Sequence, residues 1–507
     1  MLKPCWTCRS RTIQCDRSQT PCFKCKKAGL ECHDKRPLRW VKGVAIRGKL
    51  RGHVFKGPSK TSASPQGAIP EKSQAFIHSG THLEILIKPS FALQDPRVYN
   101  LDQRSKYYID YYSNRICKLF ILFDSGSNPF RNLLSIGLED PTLRKSIIAL
   151  AARHYANTGY SFDATNPTID SRFAGANMDA LVYKKQTIEA LSLSLHQSRL
   201  YRKDQTMATI LLLIFIDILE SGIDGWNFHL QGAKGLLILN HSLLDPISGA
   251  RRSNIDPGNM VQETRRFITD QFSLIETLGT SLYGSPNPVS EDFLCGEETS
   301  HQESIVRSFL GCPKFLLRAI QFFSNQRYVL AESKGGNKVT NNKNIQNIVM
   351  MLELTKQFDC FEWALTFQQH AAASAREVLK LCMLSQAYKA AALLYGNRVL
   401  GALETTTLNT EDLMKRLLGY IEALQGDTAM FKCLIWPVFI AGLDCSTESQ
   451  QKFVLNSLRT LWGLTNCVNV ISASNVLKDH WKQEEQFGSS VDDISDTCRL
   501  GRGMLLI

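Results

Sequence analysis

Six cysteines lie within the first 32 residues: Cys5, Cys8, Cys15, Cys22, Cys25 and Cys32. Their spacing is C-x2-C-x6-C-x6-C-x2-C-x6-C, and the block Cys5–Cys15 recurs seventeen residues later as Cys22–Cys32. Two C-x-x-C pairs, each with a matching third cysteine, suit metal ligation better than a redox pair. Zinc in a structural site takes four ligands in a tetrahedron, usually thiolates or histidines. Six donors cannot fill the eight positions of two separate zincs, but they can if two sulfurs each serve both ions. The repeat would make those bridges equivalent cysteines of the two halves. Donor arithmetic thus leads to a binuclear cluster with two Zn2+ per chain. A disulfide framework is the competing reading. It needs an oxidising compartment, and the start Met-Leu-Lys-Pro-Cys is expected to leave no room for a secretory signal.

The stretch resembles the fungal zinc binuclear cluster (Zn2Cys6), a DNA-binding module. That resemblance implies a DNA-binding domain over residues 1–34. It also implies bridging by the first and fourth cysteines, here Cys5 and Cys22, with Cys8, Cys15, Cys25 and Cys32 as terminal ligands. Pro21 stands where the family has a loop proline, and Arg9, Arg11, Asp16 and Gly29 fall on familiar positions. Members typically read CGG-like triplets. Between the second and third cysteines the family pattern is basic-x-basic-basic-x-basic, whereas this chain has Arg9-Ser10-Arg11-Thr12-Ile13-Gln14. The lysine that contacts bases falls at Thr12, and another basic position is Gln14. Both can hydrogen-bond a base, yet neither brings charge to a phosphate.

Three elements must position this chemistry: a short basic helical stretch in each of residues 8–15 and 25–32, and a basic arm behind them. The arm, residues 35–56, carries Lys35, Arg36, Arg39, Lys42, Arg47, Lys49, Arg51 and Lys56. The chain's net charge is +12, and residues 1–57 alone hold fifteen basic against three acidic residues. The remaining 450 residues balance at 44 of each sign. A polyanion is therefore expected at the amino-terminal end and nowhere else. Arg9, Arg11, Thr12 and Gln14 are the candidates for base contact. Lys42, Arg47, Lys49 and Arg51 are candidates for the phosphates of double-stranded DNA. A heptad register begins at Leu38, Val41 and Ala45 but runs out into Gly48 and Gly52, so no zipper is expected.

Residues 57–82, rich in Ser, Pro, Gly and Lys, read as a disordered linker. Residues 83–507 read as a large all-α domain, giving a mostly α chain with a small zinc cluster in front. Tyr108, Tyr112, Ile116, Leu119 and Phe120 share one helical face. Asp140-Pro141 is an N-cap with proline at the first helical position, and Gly159 suits that helix's end. Further helices are predicted at 181–200, 205–221, 226–241, 262–284, 313–332, 343–367, 375–400, 410–424, 428–444, 448–464 and 472–484. Loops are predicted at 158–179, 242–260, 285–300 and 334–342. No alternating pattern lasts long enough for a sheet. The longest apolar run, Ile210 to Ile216, is too short for a bilayer, so no membrane partner is expected.

From about residue 95 onward the chain resembles the fungal-specific transcription factor helical domain. The resemblance rests on Asn128-Pro129-Phe130, Ala149-Leu150-Ala151-Ala152-Arg153-His154 and Trp226 to Ala233. It continues through Tyr388-Lys389-Ala390-Ala391, Tyr395, Trp436-Pro437 and Gly503-Met504-Leu505-Leu506. Residues 37–52 are further similar to regulators of acriflavine sensitivity control. The family implies a nuclear protein and allows a homodimer through the helical domain and contacts to the transcription machinery.

No P-loop, G-x-S-x-G, H-E-x-x-H or dinucleotide fingerprint occurs, so no enzyme is expected. His154 and His229 lie on apolar helical stretches and are read as packing residues, as are Trp226, Trp363, Trp436 and Trp462. Two functions remain. The first is a zinc-dependent, sequence-specific regulator of RNA polymerase II genes. The second is an interaction protein or co-regulator whose zinc cluster is only structural.

Overall fold

Asp140 behaves as its place before Pro141 requires. Its carboxylate accepts from the backbone N–H of Thr142 and Leu143, each at 2.9 Å, and the helix Pro141–Asn157 follows. The same device recurs in Asn128-Pro129. There the Asn128 side chain accepts from Phe130 N–H at 2.9 Å and opens a helix, Pro129–Glu139, that periodicity had not singled out. Asp102 caps Gln103–Tyr111, and reciprocal capping boxes open Ala375–Gly401 and Glu448–Thr465.

These elements come from a computed structural model. It describes residues 4–16, 19, 21–33, 98, 100–163, 171–196, 203–223, 225–242, 259–282, 310–332, 338–371, 373–402, 410–487 and 503–507. The expected arm at 35–56 and linker at 57–82 lie outside the described residues. The chain divides into two units, Met1–Glu84 and Ile85–Ile507. Among the described residues there is no strand, and β-type pairing is limited to an isolated antiparallel bridge between Ile223 and Met504. Nor is any helix among them long and apolar enough to cross a membrane.

The larger unit is built around two helices that are buried nearly all round. Lys203–Glu220 is one; Leu211 to Phe215 are fully buried, which explains an apolar run without periodicity. Helices Pro129–Glu139, Pro141–Asn157, Ser171–His196, Gly225–Ser242, Asn259–Thr280 and Val468–Phe487 pack on it. Ala375–Gly401 is the other. It is surrounded by Lys314–Glu332, Lys338–Gln357, Cys360–Ala371, Glu411–Leu424 and Ile435–Leu443. The residues that looked familiar in sequence are packing residues here. Tyr388 lies parallel to Trp436 at 6.1 Å and donates its hydroxyl to Cys433 O at 2.7 Å. Trp436 Nε1 donates to Ser281 Oγ at 2.9 Å.

Several expected elements needed correction. The predicted helix 343–367 is two helices, Lys338–Gln357 and Cys360–Ala371. Asp359 starts the second by accepting from Phe361 and Glu362 N–H at 2.8 and 3.0 Å. Likewise 428–444 is split into Thr428–Phe431 and Ile435–Leu443. The loop predicted to 179 ends by Ser171, where a 26-residue helix begins. The face of Tyr108 to Phe120 contains a π-helical turn, Tyr112–Ile116, rather than one α-helix.

Residues 503–507 return to the larger unit as a short extended segment. Met504, Leu505, Leu506 and Ile507 are all buried. Trp226 Nε1 donates to Gly503 O at 2.6 Å, Asn469 Nδ2 to Leu505 O at 3.1 Å, and Leu505 N–H to Gly222 O at 2.7 Å. Gly222 has φ +69°, and a Cβ there would meet the Asn469 side chain at 2.5 Å.

His154 is fully buried, hydrogen-bonded to the Tyr111 hydroxyl at 2.9 Å and to Thr465 O at 3.0 Å. Burial, with the Arg115 charge, pushes its pKa down from 6.5 to about 3. Below pH 6.5 the unfolded chain gains a proton that the fold refuses until about pH 3. Stability from this group is thus complete above pH 6.5 and is lost progressively as pH falls through that window. Thermal unfolding of wild type and His154→Gln at neutral and mildly acidic pH checks this. The variant should lose less Tm on acidification; equal losses would refute the assignment.

Candidate metal centre

The seventeen-residue sequence repeat is also a structural repeat. Cys5 and Cys22 share an extended backbone, φ −62° and ψ 151° against −61° and 151°. Each caps a five-residue helix, Trp6–Ser10 or Phe23–Lys27. The Cys5 sulfur accepts from Cys8 N–H and the Cys22 sulfur from Cys25 N–H, both at 3.4 Å. The helices therefore begin ahead of the predicted 8–15 and 25–32 stretches and stop well short of their ends, because these cysteines are their N-caps.

Each helix closes with a left-handed residue, Thr12 at φ +54° and Gly29 at φ +63°. The next N–H reaches back to the second cysteine of its pair: Ile13 to Cys8 O at 3.0 Å and Leu30 to Cys25 O at 3.1 Å. Glycine is the usual residue for such a turn. A β-branched threonine there is a strained outlier.

The six sulfurs converge. Cys5, Cys8, Cys15 and Cys22 form one group of four and Cys5, Cys22, Cys25 and Cys32 another, each with all ligand atoms within 4.8 Å. Cys5 and Cys22 belong to both. Sulfur separations are 3.9 Å for Cys5–Cys22, 3.8 Å for Cys5–Cys25, 3.6 Å for Cys8–Cys22 and 3.8 Å for Cys5–Cys15. A tetrahedron of sulfurs about 2.3 Å from a central zinc has edges of roughly 3.8 Å. The donor set fits two zincs sharing two thiolates. None of the six is in a disulfide.

In Cys5 and Cys22, the two cysteines common to both groups, the thiol is shifted toward ionisation. The backbone N–H of Cys25 holds Cys22 below the ordinary thiol range. For Cys5, burial works the other way, but the Cys8 N–H and neighbouring thiols outweigh it and lower the pKa. Burial pushes Cys8 up to about 12. Cations placed among these thiols would supply the charge that ionises the remainder, so loading would release protons.

Contacts across the unit close it. Trp6 N–H donates to His33 O at 2.6 Å, Thr7 Oγ1 donates to Glu31 O at 2.8 Å, and His33 N–H donates to Thr7 Oγ1 at 3.1 Å. Asp16 accepts from Phe23 N–H at 3.0 Å at the start of the second helix. Thr7 was not singled out from the sequence, since its partners are more than twenty residues away.

Arg9, Arg11, Thr12 and Gln14 are all exposed on the first half. By the repeat, Arg9 corresponds to Lys26, which is exposed beside Lys24 and Lys27; these three extend the basic surface and were not among the expected contacts. Lys42, Arg47, Lys49 and Arg51 lie outside the described residues.

A unit whose buried interior is cysteine sulfur under a basic surface, followed in the chain by a large helical body, defines a zinc-cluster transcription factor of the fungal type. Residues 3–40 match the fungal Zn(2)-Cys(6) binuclear cluster domain, a fold that binds two zinc ions. Residues 107–507 match the fungal specific transcription factor domain, and the chain belongs to that family. Among curated proteins it is similar to the acriflavine sensitivity control protein acr-2 of Neurospora crassa, 21% identical over 413 residues. That match covers 79% of this chain and 66% of the relative, so the chain spans slightly less than two thirds of the relative's length. No solved structure matches the chain.

Proposed function

We propose that the protein is a zinc-dependent, sequence-specific DNA-binding regulator of RNA polymerase II genes, acting in the nucleus and without catalytic activity. Cys5 and Cys22 bridge two zincs, and Cys8, Cys15, Cys25 and Cys32 complete the two tetrahedra. The cluster enters the major groove at CGG-like sites, and the helical body carries regulation and contacts to other transcription proteins. The observation that carries this reading is the concentration of all excess charge on the thiolate unit and its flanks.

Arg9 or Arg11 would pair bidentately with guanine O6 and N7. Lys42, Arg47, Lys49 and Arg51 would supply affinity without sequence information. One observation favours the second reading, a structural cluster in an interaction protein or co-regulator. Thr12 donates its hydroxyl to the neighbouring Arg11 carbonyl at 2.7 Å, so it is engaged by its own backbone.

Salt-dependent binding of the zinc-loaded full chain to CGG-containing and scrambled duplexes separates the two. Loss of the base-reading arginine, tested with Arg11→Ala, should cost ~1–3 kcal/mol on CGG duplexes and relax specificity. Arg47→Ala should weaken both duplexes alike and flatten the salt slope by about one unit. Thr12→Lys should tighten CGG binding. If wild type and all three variants bind both duplexes equally, the interaction-module reading takes over.

A further inference from the structure

Three tyrosines and a carboxylate share one edge of the larger unit. Tyr107, Asp110 and Tyr111 are i, i+3 and i+4 neighbours on helix Gln103–Tyr111, and Tyr155 of Pro141–Asn157 meets the two rings. The rings of Tyr107 and Tyr111 lie 6.2 Å apart, their planes 34° from parallel. Tyr155 stands across both, at 5.5 and 5.6 Å and turned by 75° and 74°. Tyr107 is 38% exposed, so the cluster reaches solvent. Tyr111 is held by the hydrogen bond between its hydroxyl and His154, and Tyr155 is backed by Phe173 at 5.3 Å. The helix opens into its π turn immediately after Tyr111, an insertion frequent at functional sites.

Asp110 is the unbalanced member of this group. It is 6% exposed, and its Oδ1 has no hydrogen-bond partner. The acids around it are served. Asp102 accepts from the Ser105 hydroxyl at 2.6 Å, and Asp179 takes Arg104 at 3.2 Å and the Tyr108 hydroxyl at 2.8 Å. Arg115, one turn beyond Tyr111, donates to Leu464 O at 3.0 Å. The Asp110 charge is felt at Tyr107: after burial and the neighbouring tyrosines, it helps to push that phenol above its ordinary range. A buried carboxylate without a partner is costly, and a cation beside it removes that cost.

We propose that Asp110 and the rings of Tyr107, Tyr111 and Tyr155 bind a small organic ammonium ion, the carboxylate supplying countercharge and the rings their faces. The donor set selects that class. Ca2+ or Mg2+ takes about six oxygen ligands, which one carboxylate does not provide. An alkylated ammonium needs only a countercharge and aromatic surface. Standing roughly 4 Å off the plane of the three ring centroids, it lies about 5 Å from each, within the ~6 Å reach of a cation–π contact. The site goes beyond the DNA reading and uses no residue of the cluster.

The test is titration calorimetry of the zinc-loaded full chain without DNA. The probes are choline and its uncharged isostere, 3,3-dimethylbutan-1-ol. Wild type should bind choline at least about tenfold more tightly than the alcohol. Tyr107→Phe keeps the ring and should bind like wild type, whereas Tyr107→Leu should weaken choline roughly tenfold. Asp110→Asn should erase the preference for the charged probe. That variant also gives a readout without ligand: with the unpaired charge gone, its Tm should equal or exceed that of wild type. Choline should raise Tm for wild type and leave Asp110→Asn unmoved. The proposal is overturned if the two probes bind alike, if neither binds, or if Asp110→Asn keeps the choline preference. A lower Tm for Asp110→Asn overturns it too, since the carboxylate would then already have a partner within the chain.

Discussion

Cys5→Ala and Cys22→Ala should each empty both metal positions, whereas Cys32→Ala should leave one zinc largely in place. Elemental analysis of the loaded protein should read two zincs per chain for wild type, near none for the first two variants and about one for the third. The asymmetry follows from the geometry: Cys5 and Cys22 belong to both groups of four sulfurs, while Cys32 belongs to one. The effect is large because little else holds the unit together. Its buried apolar cluster consists of Cys5, Cys8, Cys22 and Cys25, with Cys15 and Cys32 packed against them. In small domains of this kind, metal binding worth ~10–16 kcal/mol at neutral pH is the folding free energy itself. Chelation should therefore unfold residues 4–33 and abolish DNA binding while the helical body keeps its circular dichroism. A wild-type chain with one zinc, or a Cys5→Ala chain that retains one, would end the shared-thiolate assignment.

Removing residues 503–507 should be the most damaging small deletion in the helical body. The four side chains from Met504 to Ile507 are buried. At ~1.5–3 kcal/mol for each fully buried side chain, their loss approaches the ~5–15 kcal/mol that usually separates folded from unfolded domains. Exposure of the groove they fill adds to this, as does the loss of partners for Trp226 Nε1, Asn469 Nδ2 and the Gly222 carbonyl. The truncated chain should show no cooperative melt. A milder variant, Leu506→Ala, should cost ~2–5 kcal/mol and lower Tm without abolishing the transition. A truncated protein that melts like wild type would mean the segment is only an accessory.

How much of this was legible beforehand depended on whether the signal was local. The cysteine repeat states its own stoichiometry, because donor counting needs only types and spacing. Which two sulfurs are shared required the family resemblance. Asp140-Pro141 announced a helix start, and Asn128-Pro129 carries the same local signal. Asp359 was harder, because apolar periodicity continues from Lys338–Gln357 into Cys360–Ala371 and masks the break. Thr7 could not be found, since its value lies in contacts with Glu31 and His33. The exposure of Leu181, Leu193 and Leu195 on Ser171–His196, beside the buried Leu191, had no sequence signal: periodicity reports that a helix has an apolar stripe and says nothing of what covers it.

The segment at 503–507 also sets an order of events during synthesis. Trp226 and Gly222 emerge from the ribosome about 280 residues ahead of the groups they bond. Until translation has passed residue 507, the groove beside them stands open to other nascent chains and to chaperones. The helices of the larger unit can form as they appear, but the domain cannot close vectorially from its amino-terminal end. Ribosome stalling just short of residue 503 should therefore leave a nascent helical body that binds holdases, and a chain extended through residue 507 and released should be free of them.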